Sequence, residues 1–365
     1  LISKINRAFN TNIKVSSIFK HSTIEQLALC QEEEIIIKKA FVAPEKQVLS
    51  FAQERLWFID KFEGGTNAYN IPMVFKLSKA TNLEFLKESL TSIVTRHEIL
   101  RTLIKEDEAG GSYQIVLAAN HALKIKEVVV SNNLEQLLYE ECNHIYDLSN
   151  EIPIRVCIYK EKKNSKNNYY LSIVIHHIAF DGWSTDIFFK ELIQYYQYYT
   201  KQTPTLNLPE LDVQYKDFAI WQKQYLAGDV LAKQLKFWRD KLSNYETITL
   251  PADFIRPINI DYKGADFYFE IDEETSGLLR ELAKELQVSL YSVLLTGYCL
   301  FLQTYSNQDD LVIGTPIANR HYPQVQNLIG FFVNTIALRI KIDSKTPIKS
   351  LIKDVWQDII ASQNH

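Results

Sequence analysis

Two adjacent histidines, His176 and His177, close an apolar run over residues 171–175, and Asp181 and Gly182 follow four and five positions after the second. An imidazole can take or share a proton near neutral pH, and at a strand end it can do so for an attacking amine or hydroxyl. A carboxylate a few residues on can fix the loop that carries the ring. A glycine beside it lets backbone approach a substrate closely. This grouping suits acyl transfer. A lone histidine in such a run reads as a buried ring satisfied by a carbonyl; the pair, with Asp181 and Gly182 at fixed spacing, reads instead as a catalytic loop.

The elements that must position this loop lie on either side of it. Residues 154–159 and 169–175 are rich in Ile, Val and Tyr and predict strands. The polar insert between them, with Lys160, Lys162, Lys163 and Lys166, reads as a solvated hairpin loop. Residues 113–117 predict another strand. Ser184 is placed to cap a helix over 185–199 whose apolar face carries Ile187, Phe188, Leu192 and Tyr195. A helix over 82–94 puts Leu83, Leu86, Leu90 and Ile93 on one face. After a proline-bearing stretch at 203–209, aromatic helices are expected around 215–221 and 234–242. A linker with two prolines, 250–257, leads to a strand at 267–271, helices at 274–286 and 289–305, and strands at 311–317 and 332–342. At the start, Leu1, Ile2, Ile5 and Phe9 recur at helical spacing, Ser22 and Glu25 form a capping box, and 32–44 reads as a connector. Helices and strands interleave without strict alternation, which predicts an α+β fold.

At 365 residues the chain can bury two substantial cores. Apolar residues make up 46% and charged residues 23%, as in a globular protein, and the net charge of −4 gives no electrostatic case for nucleic acid. Cys30, Cys142, Cys157 and Cys299 form no C-x-x-C pair and have no histidine at metal-ligand spacing, so no metal is expected. Buried thiols favour a reducing, cytoplasmic setting. The most apolar stretch, 288–306, is interrupted by Ser289, Ser292, Thr296, Gly297 and Gln303 and reads as a core helix, with no membrane span. The chain begins at Leu1 and stops at His365 within a helical pattern, which suggests a piece excised from a larger polypeptide.

Residues 49–365 resemble the condensation domains of nonribosomal peptide synthetases. Five segments carry the resemblance in order: Leu49-Ser-Phe-Ala-Gln-Glu-Arg-Leu-Trp57, Arg96-His-Glu-Ile-Leu-Arg-Thr102, His176-His-Ile-Ala-Phe-Asp-Gly-Trp-Ser184, Tyr215-Lys-Asp-Phe-Ala-Ile-Trp221, and Ile329-Gly-Phe-Phe-Val-Asn-Thr335 with Arg339. The resemblance implies two chloramphenicol-acetyltransferase-like lobes in a V-shaped pseudo-dimer, at 49–222 and 223–365, the second lobe truncated. It also implies a linker at 32–48 and, at 1–31, the last helices of a peptidyl-carrier domain. Partners would be upstream and downstream carrier domains and an adenylation domain. The 4′-phosphopantetheine would sit on the carriers, with no cofactor on the condensation domain itself.

The implied reaction is attack by a carrier-bound α-amine on an upstream thioester. His177 would be the group nearest the chemistry, either as general base or as the residue that orients the amine and stabilises charge. His176, pointing to the opposite face of a regular strand, would be structural. Asp181 is expected to pair with Arg96 in a buried ion pair, with Arg101 as further support of the site. Gly182 either offers a backbone N–H or meets a turn requirement. Trp57, Trp183 and Trp221 read as core or tunnel-wall residues, Ser184 as lining the tunnel, and Asn334 as either a pantetheine contact or a strand bridge. The alternatives on the same fold are epimerisation, a stand-alone ester- or amide-forming acyltransferase, and a non-catalytic docking domain. The attached carrier segment and the retained His177 favour condensation.

Overall fold

β-branched and aromatic residues suit a pleated surface buried on its faces, and the runs that hold them form the sheets. The computed structural model describes residues 5, 13, 17, 23–29, 36–40, 46–119, 123–163, 166–255 and 264–365. The chain divides into two units, Leu1–Leu226 with Ala318–Val333, and Ala227–Ile317 with Asn334–His365.

The first unit runs α1 (Ile24–Ala28), β1 (Gln47–Val48), α2 (Phe51–Glu63), β2 (Asn70–Lys76), α3 (Leu83–Arg96), β3 (Thr102–Glu106), β4 (Ser112–Val116), β5 (Ile125–Val130), α4 (Leu134–Cys142), β6 (Ile154–Lys163), β7 (Lys166–His176), α5 (Gly182–Tyr199) and α6 (Tyr215–Tyr225). Its main sheet has the order β2-β7-β6-β5, with β5 and β6 parallel across α4 and the other pairs antiparallel. Alternation along β6 feeds two cores. Val156 and Ile158 join Leu86, Leu90, Ile93, Ile173, Ile175 and Phe188 in the principal one; Cys157 and Tyr159 pack with Val130, Leu134, Leu137 and Leu138. Each such buried side chain contributes about 1.5–3 kcal/mol.

In the second unit α7 (Gly228–Lys241), α8 (Glu273–Leu286), α9 (Leu290–Ser306), β8 (Asp310–Ile317), β9 (Asn334–Lys341) and α10 (Ile348–Gln363) follow. The antiparallel β8–β9 ladder shares a core with α9 and α10 through Cys299, Leu302, Leu311, Leu338, Val355 and Trp356. No single helix among the described residues is long and apolar enough to cross a membrane.

Several expectations are corrected. Residues 267–271 are not a strand: Phe267, Tyr268 and Phe269 are exposed and pair with no strand among the described residues, and strand propensity is realised only against a neighbouring strand. The helix after the histidines starts at Gly182, three residues earlier than expected, because Asp181 rather than Ser184 caps it by accepting the Ser184 N–H at 2.9 Å. Residues 318–333, expected in the second lobe, pack within the first unit. Leu1, Ile2, Phe9, Ser22 and Cys30 lie outside the described residues; α1 is capped by Thr23, which accepts the Gln26 N–H at 3.2 Å.

Candidate active site

The paired histidines sit where β7 gives way to a short 3-10 turn, His177–Ala179. His176 is fully buried, and its Nδ1 accepts the Ile178 N–H at 3.1 Å, closing the turn. Its ring meets Tyr146 edge-on at 5.6 Å, and Tyr146 is itself tied to the Val174 carbonyl at 2.7 Å. Burial, with a smaller contribution from the neighbouring His177, pulls its pKa down to about 3. His176 is therefore a neutral structural ring at neutral pH. His177 points elsewhere: its ring is half-buried and stands edge-on to Phe331 at 4.9 Å. Its Nδ1 is buried and has no hydrogen-bond partner among the described residues. Its backbone N–H is held by the Tyr69 carbonyl at 2.8 Å, which fixes the loop that carries the ring.

Asp181 has a different role. Its Oδ1 accepts from the Ser184 N–H, from Ser184 Oγ at 2.7 Å and from Arg320 at 2.9 Å, and its Oδ2 accepts the Phe332 N–H at 3.0 Å. The Arg320 and Asp181 side chains are each only 2% exposed. The expected Arg96–Asp181 pair does not form; Arg96 instead pairs with Glu191 at 3.0 Å and donates to the Pro209 carbonyl. The ionic partner comes from the 318–333 segment because that segment closes over the start of α5. Arg320 also donates to the Val325 and Leu328 carbonyls and stacks over Phe332 at 4.1 Å. With both oxygens occupied, Asp181 is poorly placed to accept a substrate proton.

The remaining candidates separate. Ser184 is fully buried and its hydroxyl bonds Asp181, Arg320 and both backbone groups of Gly330, so it does not line a substrate path. Trp183 is 49% exposed, with its indole N–H on the Gln326 carbonyl at 3.2 Å. Gly182 is exposed at the first position of α5, and a Cβ there would meet nothing within 4 Å. Space therefore does not require glycine. The N–H groups of a helix's first turn have no intrahelical acceptor, which leaves those of Gly182 and Trp183 available. Arg101 binds the Leu117 carbonyl and lies 3.7 Å from Glu98, supporting the β3–β4 region rather than Asp181. Asn334 belongs to the second unit, opening β9 opposite Ile317.

Sequence reasoning missed Arg320, Glu191 and the Tyr215 hydroxyl. The hydroxyl donates to the Phe331 carbonyl at 2.6 Å and meets Ser50 Oγ at 2.8 Å. One signal was present for Arg320: it is the only Lys or Arg between Lys284 and Arg339. Among the described residues no three His, Cys, Asp or Glu side chains group as metal ligands.

Residues 44–365 match the family model of the condensation domain. The chain belongs to the condensation-domain family. This condensation domain is 39% identical over 372 residues to N-(5-amino-5-carboxypentanoyl)-L-cysteinyl-D-valine synthase of Amycolatopsis lactamdurans, a match over 100% of the chain and 10% of that protein. It is 31% identical over 379 residues to malpinin synthetase of Mortierella alpina, over 100% of the chain and 5% of that protein. The chain thus spans about a tenth of the length of these relatives or less. Among solved structures, the X-domain from teicoplanin biosynthesis superposes with a TM-score of 0.80 at 22% identity, covering 91% of the chain and 73% of that domain. The first condensation domain of the calcium-dependent antibiotic synthetase gives 0.68 at 14% identity, over 87% and 74%. Both share the fold of this domain.

Proposed function

We propose that this domain forms peptide bonds, transferring an aminoacyl or peptidyl group from an upstream carrier-bound thioester to the α-amine of an amino acid on a downstream carrier. The amine nitrogen attacks the thioester carbonyl, a C–N bond forms as the C–S bond breaks, and the proton lost by the amine balances the one the departing thiolate takes up. What supports this most is the contrast between His177, whose ring is half-buried beside Phe331 at the strand end, and the buried Asp181–Arg320 clamp that fixes its loop. His177 takes or shares the amine proton, and the first-turn N–H groups at Gly182 and Trp183 face the developing oxyanion. The phosphopantetheine arms belong to the carriers, and an adenylation domain loads them.

In the same reading, residues 1–31 are the end of a carrier domain, 32–48 a linker, and 49–222 and 223–365 the two lobes. The condensation-domain match begins at residue 44, which sets the segment before it apart from the lobes. The thiols of Cys142, Cys157 and Cys299 are unpaired among the described residues, in keeping with a cytoplasmic setting. The test supplies an upstream carrier bearing an aminoacyl thioester and a downstream carrier bearing an amino acid, each weighed intact by mass spectrometry. A dipeptidyl mass on the downstream carrier is expected. A folded protein that leaves both cargoes unjoined, or inverts only the upstream stereocentre, contradicts the reading.

A further inference from the structure

Glu191 is buried on α5 and takes Arg96 Nε at 3.0 Å on one oxygen and His97 Nε2 at 2.9 Å on the other. The other ring nitrogen of His97, Nδ1, accepts the Ile329 N–H at 3.3 Å. A ring that accepts at Nδ1 and faces a carboxylate at Nε2 carries its proton on Nε2, so its tautomer is fixed. Burial, outweighing Glu191, holds the ring's pKa below the ordinary value. His97 is thus a neutral bridge from α5 to the 318–333 segment. Two residues beyond Ile329 stands Phe331, whose ring meets His177 at 4.9 Å.

We propose that His97, oriented by Glu191, is a positioning residue: its Nδ1 holds residues 329–331 in register and so places Phe331 against the His177 ring. The proposal rests on the peptide-bond-forming reading above. The two ring nitrogens can be separated by substitution, because an asparagine oxygen replaces Nδ1 and a glutamine amide replaces Nε2. His97→Asn keeps the hold on Ile329 and bares Glu191; His97→Gln keeps the Glu191 contact and releases Ile329.

If the bridge positions Phe331, activity and stability change in opposite order. His97→Asn melts lower than His97→Gln yet retains kcat to within about threefold. His97→Gln loses about 100-fold in kcat with KM little changed, the cost of misplacing a group near the chemistry. Two readouts need no activity: amide exchange at Ile329 and the imidazole resonance of His177, which feels the Phe331 ring. Both should change in His97→Gln only. If His97→Asn does not fold, the Glu191→Gln/His97→Asn double variant removes the bared carboxylate and serves in its place. Activity that follows melting temperature in both variants, or unchanged exchange at Ile329 in His97→Gln, overturns the proposal. Should the wild-type protein transfer no acyl group, the peptide-bond reading fails by itself, and the exchange and resonance data still decide whether His97 places Phe331.

Discussion

At the scale of single residues, adjacent positions divide the work: His176 closes a turn from the core, and His177 faces Phe331. Asp181 and Arg320 are a buried pair. Such a pair need not stabilise more than apolar residues would, but removing one member leaves a bare charge and costs about 3–5 kcal/mol. Asp181→Ala and Arg320→Ala should each therefore lower the melting temperature steeply; normal melting with lost activity would instead make Asp181 catalytic. The buried histidines set an acid limit. His176 titrates near 3 when folded and near 6.5 when unfolded, so its contribution is complete above about pH 6.5 and is lost as pH falls towards 3. The loss is at most ~1.4 kcal/mol per pH unit, and His97 acts in the same direction. His176→Phe should flatten the acid limb of a melting-temperature profile; an unchanged slope would refute this origin. The histidines, Asp181 and Gly182 were legible because they are close in sequence. Arg320 was not, because its partner lies 139 positions away and Arg96, an arginine within one of the motifs, offered a plausible alternative.

The elements show which glycines the fold needs. Gly330 passes beneath Tyr215 and Phe332, and a Cβ there would overlap both rings, whereas Gly182 faces open space. Gly330→Ala should cost about 1–3 kcal/mol as an overpacked site. Gly182→Ala should change stability by no more than about 0.5 kcal/mol, so any loss of activity in that variant reports on the substrate side. Equal melting losses in the two variants would contradict this contrast. Elements with a strong apolar period, such as α3 with Leu86, Leu90 and Ile93, were legible in the sequence. Residues 267–271 were misread because Phe267, Tyr268 and Phe269 have high strand propensity, but pairing is a tertiary event.

For the molecule as a whole, interleaved helix and strand patterns and a chain long enough for two cores pointed to an α+β body, and two units are present. Nothing in the sequence could reveal that Ala318–Val333 packs with the first unit, because that follows from tertiary contacts such as those of Arg320, Ile329, Gly330 and Phe332. The central claim, that acyl transfer takes place at His177, is tested most directly by single-turnover dipeptide formation in wild-type and His177→Ala proteins matched for melting temperature. A fall of about 10²- to 10⁴-fold in rate is predicted; a folded His177→Ala protein that joins the two cargoes at the wild-type rate would contradict it.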